Sequence, residues 1–268
     1  MDTENTTASQ QIKINDFNLF YDIVKALSRM SDGVKFTVND CGLTVYAKND
    51  YSKCEMTSNS ITTSGEISFC IGSLNMFLKV LTTVKDMYKD TDRYYSGVRM
   101  FYEKPFIKIE SKKFKTKLIT VDENRVINFI GTKVHTTLTD MVTFTTSSNH
   151  IKTVNSHSYI FNDSSVARIY LSSDKDMQNN TMFARIGDDN NDLSNSITLE
   201  LGMINSGVMD SRKIILDFNR LNILNMIPSD EIKVSIAAEK PVLMSSVRKT
   251  GLNDTYFNNT VYVFMMVK

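Results

Sequence analysis

Two stretches of the chain follow one plan. Ile67-Ser-Phe-Cys-Ile-Gly-Ser-Leu-Asn75 aligns with Ile214-Ile-Leu-Asp-Phe-Asn-Arg-Leu-Asn222, 147 positions later. In each, an apolar strand pattern passes into a helical one through Leu-Asn. Glu103-Lys-Pro105 returns as Glu239-Lys-Pro241 after 136 positions, between two strand patterns both times. Asn39-Asp40 returns as Asn162-Asp163 after 123, and Val45-Tyr46 as Ile169-Tyr170 after 124. The offsets drift as loop lengths differ, but the order holds. The chain reads as two copies of a β-α-β-β-β-α-β-β-β unit, each about 130 residues.

The elements are placed by hydrophobic period. Residues 1–10 read as a flexible N-terminal tail, 11–119 as the first domain, 120–135 as a connector and 136–268 as the second domain. Gln11–Ile14 predicts a strand. Asp16 predicts the N-cap of a helix from Phe17 to about Met30, with Leu19, Phe20, Ile23, Val24 and Leu27 inward. Strands are expected at Val34–Val38, Leu43–Ala47, Tyr51–Thr57 and Glu66–Ile71. A second helix is expected over Ser73–Val84, with Leu74, Phe77, Leu78 and Leu81 inward. Strands Gly97–Tyr102, Phe106–Ser111 and Lys113–Ile119 complete the first copy. In the second, a strand over Thr137–Thr145 precedes a weak helix from about Ser147 to Ser156. Strands then fall at Tyr159–Asn162, Val166–Ser172, Met182–Ile186, Ser196–Leu201 and Lys213–Phe218. A helix over Arg220–Met226 and strands Glu231–Ala237, Val242–Val247 and Val261–Val267 close the chain. The fold class is α+β.

Composition narrows the function. Lys plus Arg is 31 and Asp plus Glu 30, a net charge of +1. This excludes a chain that grips nucleic acid over its whole surface, while leaving room for one basic face. Gly 10 and Pro 3 leave few breakers, hence long regular elements. Cys41, Cys54 and Cys70 have no CxxC spacing and read as buried free thiols in a reducing compartment. The polar start MDTENTTASQQ lacks the apolar core of a signal peptide, and no apolar run reaches 18 residues. The expectation is an intracellular protein with no membrane partner.

Signs of catalysis are missing. The histidines are His135, His150 and His157, without an HExxH, a GxSxG elbow, a P-loop or a GxGxxG. Asp188-Asp-Asn-Asn-Asp192 opens like a calcium loop, but Leu193 stands where Gly is needed and Leu199 where Glu is needed. The expectation is no enzyme, no metal and no cofactor.

The order of pieces is similar to a known family. The first helix followed by GVKFTVNDCGLTVYAKND, then ISFCIGSLNMFLKVL, its second copy IILDFNRLNILNMI, and the end EKPVLMSS with TVYVFMMVK carry the likeness. The chain resembles the two-domain DNA sliding clamps of the proliferating cell nuclear antigen type over residues 11–268. High Asn, Met and Lys content without Trp suggests an AT-rich viral or bacteriophage genome. That origin would place the protein in the host cytoplasm for a phage, and otherwise in the replication compartment.

The resemblance implies two clamp domains, with sheets outside and helices lining a central hole. It implies a homotrimeric ring around double-stranded DNA that serves as a polymerase processivity factor. DNA polymerase, other clamp-binding proteins and a clamp loader would be its partners. The expected DNA-binding residues are Lys25, Arg29, Lys79, Lys85, His150, Lys152 and Arg220. The connector residues Val126, Ile127, Phe129 and Ile130, with Ala47, Tyr51, Pro241 and Met265, are expected to bind partner peptides. Lys113, Lys115 and Lys117 of the first domain's last strand are expected to meet Met182, Ala184 and Ile186 of a neighbour. Two other readings stay open: a monomeric or dimeric clamp-fold factor holding DNA by direct electrostatic affinity, and a non-enzymatic virion structural protein.

Overall fold

The side chain of Asp16 accepts the backbone N–H of Leu19 at 2.9 Å and starts the first helix. That cap fixes where the apolar stripe of the helix begins. A computed structural model describes residues 9–48, 52–88, 95, 97–126, 142–158, 168–173, 181–187, 196–206, 214–217, 231–236, 242–247 and 261–265. The chain divides into two compact units, residues 1–48 with 55–131, and residues 49–54 with 132–268.

The first unit runs β1 (Gln10–Ile14), α1 (Phe17–Leu27), β2 (Val34–Val38), β3 (Leu43–Lys48), the later part of β4 (Ser52–Ser58), β5 (Ile61–Thr62), β6 (Ile67–Ile71), α2 (Leu74–Tyr88), β7 (Arg99–Glu103), β8 (Phe106–Glu110) and β9 (Lys115–Ile119). One sheet has the order β5-β1-β7-β8-β9, and the strands β6-β2-β3-β4 follow one another in a second. All registers recorded for these strands are antiparallel. Gly42 closes the β2–β3 turn at φ +140, and a Cβ there would lie 2.2 Å from the carbonyl oxygen of Ser58. Only glycine suits that position.

Both helices pack through aromatic rings. Phe20 of α1, Phe36 of β2 and Phe77 of α2 are fully buried, with centroids 6.0–6.4 Å apart and edge-on. Phe69 of β6 stacks on Phe36 at 5.3 Å. This geometry adds quadrupole attraction to the area buried. The first helix ends at Leu27 rather than near Met30. Arg29 and Met30 bond back three residues, to Ala26 and Leu27, which tightens the chain into a turn. The second helix runs one turn past Val84. Its inward stripe is Leu74, Phe77, Leu81 and Val84, while Leu78 is only half-buried.

The second unit repeats the connectivity. It runs β10 (Val142–Thr146), α3 (Ser148–Ser158), β11 (Arg168–Ser173), β12 (Thr181–Gly187), β13 (Ser196–Ser206), β14 (Ile214–Asp217), β15 (Glu231–Ile236), β16 (Val242–Val247) and β17 (Val261–Met265). Its strands lie in the order β14-β11-β12-β13-β10-β15-β16-β17. The equivalences are pairwise: β1·β7 with β10·β15, β2·β3 with β11·β12, and β2·β6 with β11·β14. β13 does the work of β4 and β5 together. It pairs with β12 along its first part and with β10 along its last, with a register shift on each side. Gly202 sits at that crossing, where a Cβ would lie 1.9 Å from the carbonyl oxygen of Thr145. Ile151 and Val154 bury the inner face of α3.

Several expectations fall outside the described residues: the tail up to residue 8, the strand over Tyr159–Asn162 and the helix over Arg220–Met226. The thiols are corrected. Cys70 is buried, but Cys41 is exposed in the β2–β3 turn, where its backbone N–H donates to Asn39 Oδ1 at 2.9 Å. Asn39 thus supplies the turn through its side chain, and the thiol faces water. Among the described residues no helix is long and apolar enough to cross a membrane.

Phe77→Ala is expected to cost about 3–5 kcal/mol, because it opens a cavity in the ring cluster. Leu78→Ala should cost clearly less, since that side chain is only half-buried. Urea midpoints of the two variants measure the difference.

Candidate functional site

Four of the expected DNA-binding side chains stand on α1, on α2 or just past the end of α1. Lys25 is half-buried in the last turn of α1, and Arg29 is exposed in the turn beyond it. Lys79 is exposed on α2 and Lys85 half-buried in its last turn. The two helices lie side by side. Thr82 Oγ1 donates to the Tyr21 hydroxyl at 3.4 Å, and Lys85 Nζ lies 4.1 Å from the centroid of the Tyr21 ring. The four cations therefore stand in one unit, on or just beyond two adjacent helices. Asp22 on α1 and the exposed Asp86 on α2 dilute their charge.

On the second unit, His150 and Lys152 are exposed on α3. His150 is also tied to the strand beneath, with Nδ1 3.2 Å from the carbonyl oxygen of Leu201. Arg220 lies outside the described residues.

The start of the connector is pinned to the first unit. Val121 N–H donates to the Cys70 carbonyl at 3.0 Å, and Lys35 Nζ donates to Glu123 Oε1 at 2.9 Å. Val126 is buried, with Cγ1 3.2 Å from the position a Cβ on Gly33 would take. Two expected peptide contacts are corrected on this basis. Val126 and Ala47 face the core and offer no surface, because both are used to close the packing beneath them. Tyr51, Ile127, Phe129, Ile130 and Pro241 lie outside the described residues. Met265 ends β17, opposite Val242.

The expected subunit contact is corrected in part. Lys115 and Lys117 project with Ile119 from one exposed face of β9, while Lys113 stands in the preceding turn. β9 is an edge strand of its sheet, paired with β8. β12, the expected receptor, is paired on both edges, with β11 and with β13. Its Met182, Ala184 and Ile186 are buried in the unit's own core. No neighbour's strand can be added there. Among the described residues, the open edge in this region is the first part of β13, Ser196–Glu200, which pairs with β12 on one side only.

Sequence reasoning missed Tyr21, which organises the two helices, and the Lys35–Glu123 pair, which anchors the connector. The first had a signal, a tyrosine on the polar side of an amphipathic pattern. The second joins residues 88 positions apart, and no local pattern announces it.

The fold defined by this duplication is the DNA sliding-clamp fold of the proliferating cell nuclear antigen (PCNA) type. Two solved structures carry that assignment. The crystal structure of PCNA from Entamoeba histolytica superposes with a TM-score of 0.65 at 15% identity, covering 98% of this chain and 99% of that one. PCNA of A. fulgidus, with the C-terminal region of FEN-1 bound, superposes with a TM-score of 0.71 at 9% identity, covering 96% and 98%. No family model and no curated protein matches the sequence.

Burial pushes the Cys70 thiol above its ordinary value; Glu123 adds to the rise, Lys35 opposes it and Asp122 adds a little. A group held protonated in the fold loses stability as pH rises, because the unfolded chain ionises first. The contribution is whole below the ordinary thiol value, about pH 8.5, and declines above it. Iodoacetamide at neutral pH should label Cys41 and spare Cys70 in the folded chain. Cys70→Ala should flatten the fall of the urea midpoint above that pH.

Proposed function

We propose that the chain is a DNA sliding clamp, a homotrimeric ring that encircles duplex DNA and tethers a polymerase and other DNA-processing proteins. The observation that carries this reading is the match to PCNA structures over 96–98% of the chain, spanning both copies of the repeat. Two features support it. The open edge of β9 and the open first part of β13 lie in different units, which suits a head-to-tail contact between copies that closes a ring. The helical cations are few and interleaved with acids. Such a face touches phosphates loosely and leaves retention to the closed ring rather than to affinity.

That second feature also separates the reading from a monomer holding DNA electrostatically. Neutralising Z phosphates gives a salt slope of about −0.9Z, and a lone chain with this helical face has a small Z. The mechanism is topological: the subunit interfaces keep the ring shut, the helices centre the duplex, and the exposed surfaces receive clients. A loader that opens the ring belongs to this reading.

Light scattering over a dilution series tests it first. A mass near three times 30.5 kDa that survives dilution is expected; a monomer at every concentration would sink the ring. Ile119 is 66% exposed within its own unit. Ile119→Glu should therefore leave the melting temperature nearly unchanged while splitting the trimer. Loaded protein should stay on nicked circular DNA and run off once the circle is cut. Lys25→Glu with Arg29→Glu should leave both the native mass and the retention on the closed circle nearly intact, because the ring and not the helical charge holds the DNA.

A further inference from the structure

The solvent face of β7, β8 and β9 is an array fixed by register. Phe101, Lys108 and Lys117 stand opposite one another across the three strands, and Glu103, Phe106 and Ile119 form the next row. Met100, Ile107, Ile109 and Leu118 fill the other face and are buried, so strand alternation turns these rows outward. Phe101 and Phe106 are only half-buried. Residues 99–119 carry seven basic side chains and two acidic ones, in a chain whose net charge is +1. One of the acids, Glu103, is already paired with Lys108, which holds its carboxyl below the usual range. The outward rows hold Arg99, Lys108, Lys115 and Lys117 against Glu103 and Glu110, and Lys104, Lys112 and Lys113 stand in the flanking turns, which gives a net cationic face with two half-buried rings on neighbouring strands, separate from the helices.

We propose that this face binds single-stranded nucleic acid, with bases stacked on Phe101 and Phe106 and phosphates held by Lys115 and Lys117. A sheet that presents aromatic rings on neighbouring strands stacks two or three bases, and it does so only when they are unpaired. Lys117 Nζ now lies 3.3 Å from the centroid of the Phe106 ring. Base stacking is worth more than an exposed cation–π contact. An arriving base therefore displaces the ammonium, which stays close enough to meet the attached phosphate. A duplex presents no free base face and gains only the charge. An acidic peptide would satisfy the lysines and leave the rings unused. The inference does not depend on duplex passing the helices; in a closed ring it needs the outward side chains of β7, β8 and β9 to stay free while the backbone edge of β9 meets a neighbour.

The test is fluorescence anisotropy of a dye-labelled oligothymidylate titrated with the full chain at two salt concentrations. Saturable binding that weakens with salt is expected. Phe106→Ala should weaken it at least about tenfold, the loss of one stacked base. Lys117→Gln should lower the salt slope by about 0.7, one single-strand phosphate contact. A duplex of equal length should compete poorly, and both variants should keep the wild-type native mass. The inference falls if the wild type fails to bind at low salt, or if Phe106→Ala binds as well as wild type. It falls equally if polyglutamate displaces the probe as effectively as unlabelled oligothymidylate does, which would make the face a docking site for acidic protein. Should Phe106→Ala prove unfolded by circular dichroism, Lys117→Gln and the two competitors still decide.

Discussion

The aromatic cluster of Phe20, Phe36, Phe69 and Phe77 is the interaction on which the first unit depends. It joins α1, α2, β2 and β6, whose rings are up to 57 positions apart (Phe20 to Phe77), at one buried point. Helices with so few charges have little intrinsic reason to pack against a sheet. Burial of one ring from each helix supplies that reason, and it fixes which side of each helix remains in water. The position of Lys25, Arg29 and Lys79 is therefore a consequence of where Phe20 and Phe77 are buried. The surface these helices present is what the core leaves outside.

The two units satisfy the same topology with different local means. In the first, β4 and β5 are separate strands that divide their pairing between β3 and β1. In the second, the eleven-residue β13 spans both tasks and absorbs the mismatch through register shifts near Gly202. Absence of a Cβ there lets the Thr145 carbonyl approach. Duplication thus preserves pairing partners and relaxes strand continuity. Edge exposure follows from the same accounting of pairs: among the described residues, β9 and the first part of β13 each have a strand on one side only.

Much of this was legible beforehand where the signal was local. Asp16 announced the cap of α1, and the spacing of Leu74, Phe77 and Leu81 announced the inner face of α2. The Asn39–Gly42 turn and the alternation in β2, β3 and β8 were equally clear. Leu78 misled because it falls at the margin of a stripe whose centre is set by Val84, one turn further than the pattern suggested. Cys41 misled because small apolar character was read as burial, although a turn residue beside Asn39 faces water. Ala47 and Val126 look like surface apolars of a connector region by composition. Val126 is core because the chain folds back over Gly33 and β6, and Ala47 because it falls on the inward side of β3 with Leu43 and Val45.

The sequence by itself determined the duplicated order of elements, the helix caps and the core side of each strand, because these rest on spacing within a dozen residues. Only the tertiary structure decided which edges stay open. β12 and β9 both read as strands, yet among the described residues β12 is enclosed by β11 and β13 while β9 has one neighbour. The physical reason is that strand pairing is a long-range choice. It is made by loop closure and by whichever arrangement of the whole sheet buries the most apolar surface, and no single strand encodes its neighbours.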